Sequence, residues 1–207
     1  MWKPTEPPHV VFKRNTFAQA AEISSFIYQI GQTEMLRQPS MMVPKEEIGT
    51  EDFQAKINYT KSCLLKYREL TGKGRGLAAP QIGIPLRFAA IFMPEIPEQI
   101  LIVINPAIIR QSNKLFRYPE ICMSAQPAIA PVVRPAWIEF SYLNEQGEEQ
   151  LWSKKAEDDA GKIYNRVFEH EIDHLDGVIN IDRVKSSEIV FDWDPDFYNH
   201  TKFEEVI

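Results

Sequence analysis

The sequence is poor in cysteine, and this limits the classes of protein that it can be. Cys63 and Cys122 are the only two in 207 residues, too few for a framework of disulfide bonds, so we expect a reducing compartment. Lys and Arg (23) are outnumbered by Asp and Glu (29), and the formal net charge of −6 favours neither nucleic acid nor an anionic membrane as a partner. No apolar run is long enough to cross a bilayer. Residues 1–8 resemble neither a signal peptide nor an Arg- and Ser-rich transit peptide.

Several nucleotide-binding and hydrolase motifs are absent as well. The chain has no GKS or GKT triplet, hence no P-loop, and no GxSxG nucleophile elbow. Residues 74–79 (Gly-Arg-Gly-Leu-Ala-Ala) mimic the dinucleotide fingerprint GxGxxA, but that fingerprint needs a strand before it and a helix after it. Here a predicted helix precedes the segment and Pro80 follows it, so we reject a dinucleotide site.

The composition is that of one globular domain, which we predict to span residues 1–207. Hydrophobic residues make up 44% of the chain and charged residues 25%, which argues against extensive disorder. Helical spacing of apolar residues predicts a helix from Asn15 or Thr16 to Ile30. A second helix is predicted from near Thr50 to about Leu70. Strand-like segments follow, separated by Pro and Gly: 87–93, 101–104, 107–110, 137–142 and 150–153.

A further helix, predicted from near Asp159 to Asp176, carries an HExxH motif. His170 and His174 lie one turn apart on one helix face, where two imidazoles can share a metal ion, and Glu171 can accept a proton from a metal-bound water. Apolar residues on two sides of this helix predict that it is buried. The fold class is therefore α+β, with N-terminal helices and mixed or antiparallel sheets packed around this central helix. The alternative is a charged surface helix that matches HExxH by chance.

Cys122 is the candidate third metal ligand. A thiolate binds first-row transition metals strongly, and one cysteine with two histidines leaves a coordination position open for water, as in a catalytic site. Taken alone, a cysteine is more often a small buried hydrophobic residue than a ligand. We keep that interpretation for Cys63, which lies among leucines on the second predicted helix.

Three segments together resemble the three motifs of the peptide deformylase family, in the same order. They are residues 76–83 (Gly-Leu-Ala-Ala-Pro-Gln-Ile-Gly), 120–124 (Glu-Ile-Cys-Met-Ser) and 170–175 (His-Glu-Ile-Asp-His-Leu). Residues 133–135 follow the cysteine at the family's distance, 178–184 resemble the strand after the helix, and 35–39 resemble the N-terminal segment. The resemblance covers about 35–184 and leaves 185–207 as a divergent tail.

This resemblance implies a metal-dependent hydrolase that removes the formyl group from N-formylmethionyl peptides. It implies that Cys122, His170 and His174 bind one divalent metal ion, usually Fe²⁺, with Zn²⁺, Ni²⁺ or Co²⁺ as substitutes. Glu171 transfers the proton of the attacking water, while Gln81 Nε2 and the Met123 backbone N–H stabilise the oxyanion. The substrate-binding residues that it implies are Gly76, at which the peptide backbone approaches closely, Arg75, Leu77 and Ile121. The alternative for Gln81 is a solvated loop amide.

The chain departs from the family pattern at several positions. Ile121 stands where the family has glycine, and a β-branched side chain there is expected to narrow the peptide cleft. Arg75 and Ile129 replace an apolar residue and an arginine respectively, Met123 replaces leucine, and Glu169 stands in place of glutamine. Two alternatives to an active deformylase therefore stay open. One is a deformylase-like protein that binds metal or peptide without useful turnover, and the other is an HExxH peptidase that cuts internal bonds.

The resemblance also implies a biological setting. The partners are nascent N-formylmethionyl peptides near the ribosome, with no nucleic acid or membrane partner, and we expect a monomer. Such proteins act where translation begins with formylmethionine, in the bacterial cytoplasm or in a mitochondrion or plastid. The long segment 38–72 and the divergent tail favour an organellar member slightly.

Overall fold

The computed structural model describes residues 18–96, 98–155, 158–192 and 201–206. Three α helices lie within these residues: α1 (residues 18–23), α2 (Glu51–Thr71) and α3 (Asp159–Leu175). An antiparallel sheet of five strands has the order β1-β2-β3-β6-β7, where the strands are β1 (Gly76–Ala78), β2 (Phe88–Phe92), β3 (Ile100–Gln111), β6 (Ile138–Leu143) and β7 (Glu149–Trp152). A second antiparallel sheet has the order β8-β5-β4-β9, with β4 (Leu115–Ile121), β5 (Ala128–Pro135), β8 (Val190–Phe191) and β9 (Glu204–Val206).

Both long helices begin and end where the sequence predicts, because their cap residues are in place. The Thr50 hydroxyl accepts a hydrogen bond from the Phe53 N–H at 3.3 Å, and Gly72 ends α2 with φ 69°. The Asp158 carboxylate accepts one from the Gly161 N–H at 2.8 Å at the start of α3. None of the described helices is long and apolar enough to cross a membrane.

Helix α3 lies between the two sheets, as the sequence predicts for a central buried helix. One face of the first sheet packs against α2 through residues such as Leu77 and Phe88. Its other face packs against Phe168 and Ile172 of α3. From the far side of α3, Arg166 donates to main-chain oxygens of β4 and β5, at Phe116 (2.7 Å) and Val132 (3.1 Å). The layers are therefore α2, first sheet, α3 and second sheet.

The first helix ends earlier than the predicted one. Its predicted start at Asn15 or Thr16 lies outside the described residues, and the helix ends at Ile23 rather than Ile30. The hydroxyls of Ser24 and Ser25 donate to the carbonyls of Ala20 (2.9 Å) and Glu22 (2.6 Å). These local bonds give the backbone an alternative to continued helix.

The strands differ from the prediction in three places. Residues 101–104 and 107–110 form one strand, β3, which bulges at Asn105 with φ 52°. The Gly-rich segment contains the short strand β1, and the sequence analysis did not predict the strands β4 and β5. The second sheet was missed because its inner face carries charged residues, including Glu120 and Arg134, which conceal the apolar alternation of a buried strand.

Residues 178–184, expected to be a strand, instead contain a 3₁₀ helix, Asn180–Arg183. The Asp182 carboxylate accepts the Ile179 N–H at 2.8 Å, and the Asn180 amide donates to the Glu120 carbonyl at 2.9 Å. Because side chains satisfy these backbone groups, no neighbouring strand is needed. The tail that the sequence left unplaced adds β8 and β9 to the two edges of the second sheet.

Candidate metal centre

Cys122, His170 and His174 converge in the structure as the sequence predicts. Cys122 follows directly on β4, while both histidines lie on α3. Their ligand atoms all lie within 4.8 Å of one another, and Cys122 Sγ is 3.1 Å from His174 Nε2. Cys122 and His174 are fully buried. One sulfur and two imidazole nitrogens in such a cluster fit a divalent first-row transition metal, with room for a further ligand. Cys63, by contrast, packs in the core beneath α2.

Glu120 orients the first histidine. Its Oε2 lies 2.9 Å from His170 Nδ1, so that Nε2 is the nitrogen left for the cluster. Arg134 Nε (2.7 Å) and Arg166 Nη1 (2.6 Å) donate to the same carboxylate. Burial alone would raise the pKa of Glu120, but Arg134 and the hydrogen bond with His170 hold this pKa well below its usual range. The sequence alone does not mark Glu120 as a functional residue, although Glu120 lies in a segment that carries the family resemblance.

Glu171 lies beside the cluster and has an available carboxylate oxygen. The side chain is buried, and its Oε2 has no hydrogen-bond partner among the described residues. Burial raises the pKa of Glu171 to about 7. A buried carboxylate with a free oxygen near two imidazoles that could hold a metal ion can accept and return a proton.

Gln81 is held rigidly next to Cys122. It is buried, which excludes the solvated loop amide considered from the sequence. Its Oε1 accepts the Ala78 N–H at 2.8 Å, and its Nε2 lies 3.0 Å from Ser124 Oγ and 3.8 Å from Cys122 Sγ. The amide therefore points its NH₂ group at the cluster, where it can donate to a bound oxygen.

Met123 is anchored on both sides of its backbone. Its side chain belongs to the core cluster beneath α2, and its carbonyl accepts a hydrogen bond from Gln29 Nε2 at 3.0 Å. The hydrogen bond fixes the peptide unit between Met123 and Ser124. Whether the Met123 N–H donates to a reacting oxygen stays a prediction.

The four residues expected to bind substrate have different surroundings. A Cβ added to Gly76 would lie 2.6 Å from Cδ of Glu171, so its missing side chain makes room for that residue. Arg75 is exposed, with its guanidinium 5.3 Å from the Tyr164 ring centre. Ile121 is half-buried at the end of β4. Leu77 is fully buried and packs in the core beneath α2, so its side chain does not face an exposed substrate surface.

Glu169, which replaces glutamine in the family pattern, is buried and directly precedes His170. Burial raises its pKa to about 8, against the opposing effect of Arg134. A carboxyl group with this pKa is mostly neutral at pH 7. The neutral Glu169 carboxyl group resembles a glutamine amide in shape and charge. The replacement of glutamine by Glu169 is therefore milder than the sequence alone indicates.

A sequence model of the polypeptide deformylase family matches residues 26–189. A peptide deformylase from Thermosynechococcus vestitus is 35% identical over 158 residues, which cover 75% of this chain and 77% of the relative. Chloroplastic peptide deformylase 1A of Solanum lycopersicum is 31% identical over 166 residues, covering 72% of this chain and 56% of that protein. The structure is similar to that of a Synechococcus elongatus peptide deformylase in complex with actinonin. The TM-score is 0.63 and the sequence identity is 31%, and the match covers 77% of this chain and 80% of that one. Because the family match spans most of the chain and includes all three clustered side chains, this chain belongs to the polypeptide deformylase family.

Proposed function

We propose that this protein hydrolyses the formyl amide of N-formylmethionyl peptides and releases formate. The observation that carries the proposal is the buried Cys122–His170–His174 cluster with the free Glu171 carboxylate oxygen beside it. In this reaction the C–N bond of the formyl amide breaks. Water supplies the hydroxyl group of the product acid and the proton that the new amino group receives.

The metal that we propose is Fe²⁺, with Zn²⁺, Ni²⁺ or Co²⁺ as substitutes. Cys122, His170 and His174 would hold it, and Glu120 would keep the His170 ring in the ligating orientation. When bound, such an ion supplies a Lewis acid that makes a water molecule more acidic and polarises the formyl oxygen.

Glu171 is the proposed proton carrier. Its free Oε2 accepts the proton of the attacking water and later delivers it to the leaving nitrogen. The carboxylate lies against Gly76 of β1, so a substrate along this strand brings its amide close to Glu171.

Gln81 and Met123 are the proposed oxyanion donors. The Gln81 NH₂ group already points at the cluster, because Oε1 is fixed by Ala78. Loss of one such donor typically costs about 3 kcal/mol of transition-state stabilisation. The backbone N–H of Met123 supplies the second donor, and the packed side chain keeps it in place.

The peptide is proposed to lie along β1, an edge strand of the first sheet. An extended peptide can add to such an edge by main-chain hydrogen bonds. Gly76 and Leu77 contribute backbone groups on this edge, while Arg75 contributes its side chain. Ile121, at the end of β4, borders the same cleft from the second sheet.

A deformylase-like protein that binds peptide without useful turnover is the second candidate function, because Ile121 replaces the family's glycine. The test is formate release from formyl-Met-Ala-Ser by protein loaded anaerobically with Fe²⁺. Activity that Glu171→Ala abolishes, and that returns with metal after chelation, supports the enzyme. If neither the iron-replete protein nor its Ile121→Gly variant releases formate, the proposal of an active deformylase is rejected.

An HExxH peptidase is tested in the same assay with unformylated Met-Ala-Ser and longer peptides. We expect no cleavage of internal bonds, because a cysteine in the cluster and the Gln81 amide beside it favour a deformylase over a peptidase. New amino termini in an unformylated peptide would favour the peptidase.

The proposed setting is a compartment in which translation begins with formylmethionine. The relatives named above are cyanobacterial and chloroplastic, which agrees with a bacterial cytoplasm or a plastid. We propose an organellar location, with a monomer acting on nascent chains near the ribosome. Fractionation of the source cells with an antibody, followed by sedimentation with and without ribosomes, tests these points.

A further inference from the structure

The C-terminal strand β9 closes one edge of the second sheet. Glu204–Val206 pairs antiparallel with β4, in the register Leu115↔Val206, Phe116↔Glu205 and Arg117↔Glu204. The same strand β4 leads into Glu120 and Cys122 of the metal centre. The tail is therefore attached to an element that carries the site.

Phe203, just before β9, is fixed by aromatic and cationic neighbours. Its ring stacks on Tyr118, with centres 4.4 Å apart and planes inclined at 26°. It meets the Phe116 ring edge-on at 6.3 Å, and Lys162 Nζ lies 4.7 Å from its centre. Such contacts each contribute a modest stabilisation and define the orientation of the ring.

Phe203 forms part of the wall of a cavity of about 320 Å³. Three aromatic side chains (Tyr118, Tyr164 and Phe203) and Ile163 line part of the cavity, and three charged groups, Arg75, Glu95 and Asp159, line it as well. This volume is at the lower end of the range of small-ligand sites, roughly 300–1,000 Å³. An apolar side chain fits such a lining, and a thioether also gains from contact with aromatic rings.

Lining residues of the cavity belong to, or adjoin, the elements that carry the metal centre. Ile163 is two turns before His170 on the same face of α3. Tyr118 and Glu120 point to the same side of β4, since strand residues alternate. Arg75 directly precedes Gly76, which contacts Glu171. A peptide whose amino-terminal formyl group is at the centre can therefore place its first side chain in this cavity.

We propose that Phe203 is a specificity-determining residue, which limits the size of the first side chain that the cavity accepts. This inference rests on the proposed function, because it assigns the cavity to the first residue of a formyl peptide. The tail thus completes the substrate site, with a wall supplied by a segment outside the three motifs.

The test compares Phe203→Ala and Phe203→Leu with the wild type in kcat/KM for formyl-Met-Ala-Ser and formyl-Phe-Ala-Ser. Phe203→Ala should raise the ratio of kcat/KM for the formyl-Phe peptide to kcat/KM for the formyl-Met peptide about tenfold. This is the usual scale for a change in the size of a hydrophobic pocket. Phe203→Leu keeps an apolar anchor and should give an intermediate ratio. The matched control is Phe191→Ala, since Phe191 is an exposed phenylalanine on β8 at the opposite edge of the same sheet, and its ratio should stay within about twofold of the wild type.

Calorimetric binding of the tripeptides Met-Ala-Ser and Phe-Ala-Ser to the zinc-loaded proteins gives a second readout, which does not require turnover. If the wild type releases no formate, the proposed function fails, but the affinity ratio still tests Phe203. The inference is overturned if folded Phe203→Ala has the same kcat/KM and affinity ratios as the wild type. It is also overturned if none of the proteins binds either tripeptide. Formate release with an unchanged ratio overturns the inference and leaves the proposed function intact.

Discussion

Gly76 of β1 faces the carboxylate of Glu171 so closely that no side chain fits between them. A Cβ built on Gly76 would lie 2.6 Å from Glu171 Cδ and 2.7 Å from Cγ. The φ angle at Gly76 is not in the left-handed region, so the need for glycine there is one of space and not of backbone conformation. The first motif thus sets the position of a side chain in the third.

Gly76→Ala should lower kcat for a formyl peptide by about 100-fold or more, because a displaced proton carrier loses most of its contribution. The metal content should not change, since Cys122, His170 and His174 keep their positions. The measurement is formate release per bound metal ion, with the metal determined by mass spectrometry.

Gly49→Ala is the matched control for this substitution. Among the described residues, no atom beyond its two chain neighbours lies within 4 Å of a Cβ added at Gly49, so activity and metal content should both match the wild type. Full activity in Gly76→Ala would show that Glu171 can move without loss, and would contradict its assigned role.

Gln81→Glu should lower kcat roughly 100- to 1,000-fold, the usual effect of losing one oxyanion donor. The substitution keeps an oxygen that can accept the Ala78 N–H, so the 3₁₀ helix at residues 79–82 should persist. Gln54→Glu is the control, because the Gln54 amide donates to two carbonyls away from the site. A similar loss of kcat in both variants would exclude a specific role of Gln81.

The parts of the fold that the sequence predicts are those with local signals. Thr50 and Gly72 delimit α2, and the spacing of His170 and His174 follows from the helix repeat. These signals come from neighbouring residues along the chain, so one sequence suffices to detect them.

The parts that the sequence does not predict depend on contacts between distant segments. Glu120, Arg134 and Arg166 form a buried charged cluster between β4, β5 and α3. Each of them resembles a surface residue when viewed alone. Their pairing is visible only once three segments come together. The charged residues concealed the strand pattern of β4, and the partner that orients His170 could not be identified from the sequence. Phe203 is a similar case, because its contacts arise only when the tail pairs with β4.

Asn105→Ala should lower the free energy of unfolding by about 2 kcal/mol. Asn105 adopts φ 52° within β3, and its amide bonds to both the N–H and the carbonyl of Val43, at 2.9 and 2.8 Å. Urea unfolding measures the loss, and activity below the unfolding transition should be unchanged. Asn105→Gly removes the same bonds but tolerates the φ angle, so it should be less destabilising than alanine.

The exposed Asn113 provides the control for this effect. Asn113→Ala should change the stability by less than about 0.5 kcal/mol, as is usual for a surface site. Equal stabilities of the alanine and glycine variants at position 105 would show that the positive φ contributes nothing.

Glu120→Gln should weaken metal binding by about 10- to 100-fold, the usual effect of losing the partner of a metal-ligating histidine. It should also lower the free energy of unfolding by about 3 kcal/mol, because Arg134 and Arg166 would lose a buried counter-charge. Competition with a zinc chelator measures the first effect, and urea unfolding of the metal-free protein measures the second. Glu139→Gln is the control, since Glu139 pairs with Arg110 and Lys155 away from the centre. Its metal affinity should equal that of the wild type. An unchanged affinity in Glu120→Gln as well would mean that the His170 ring is oriented by its packing on α3 and not by the carboxylate.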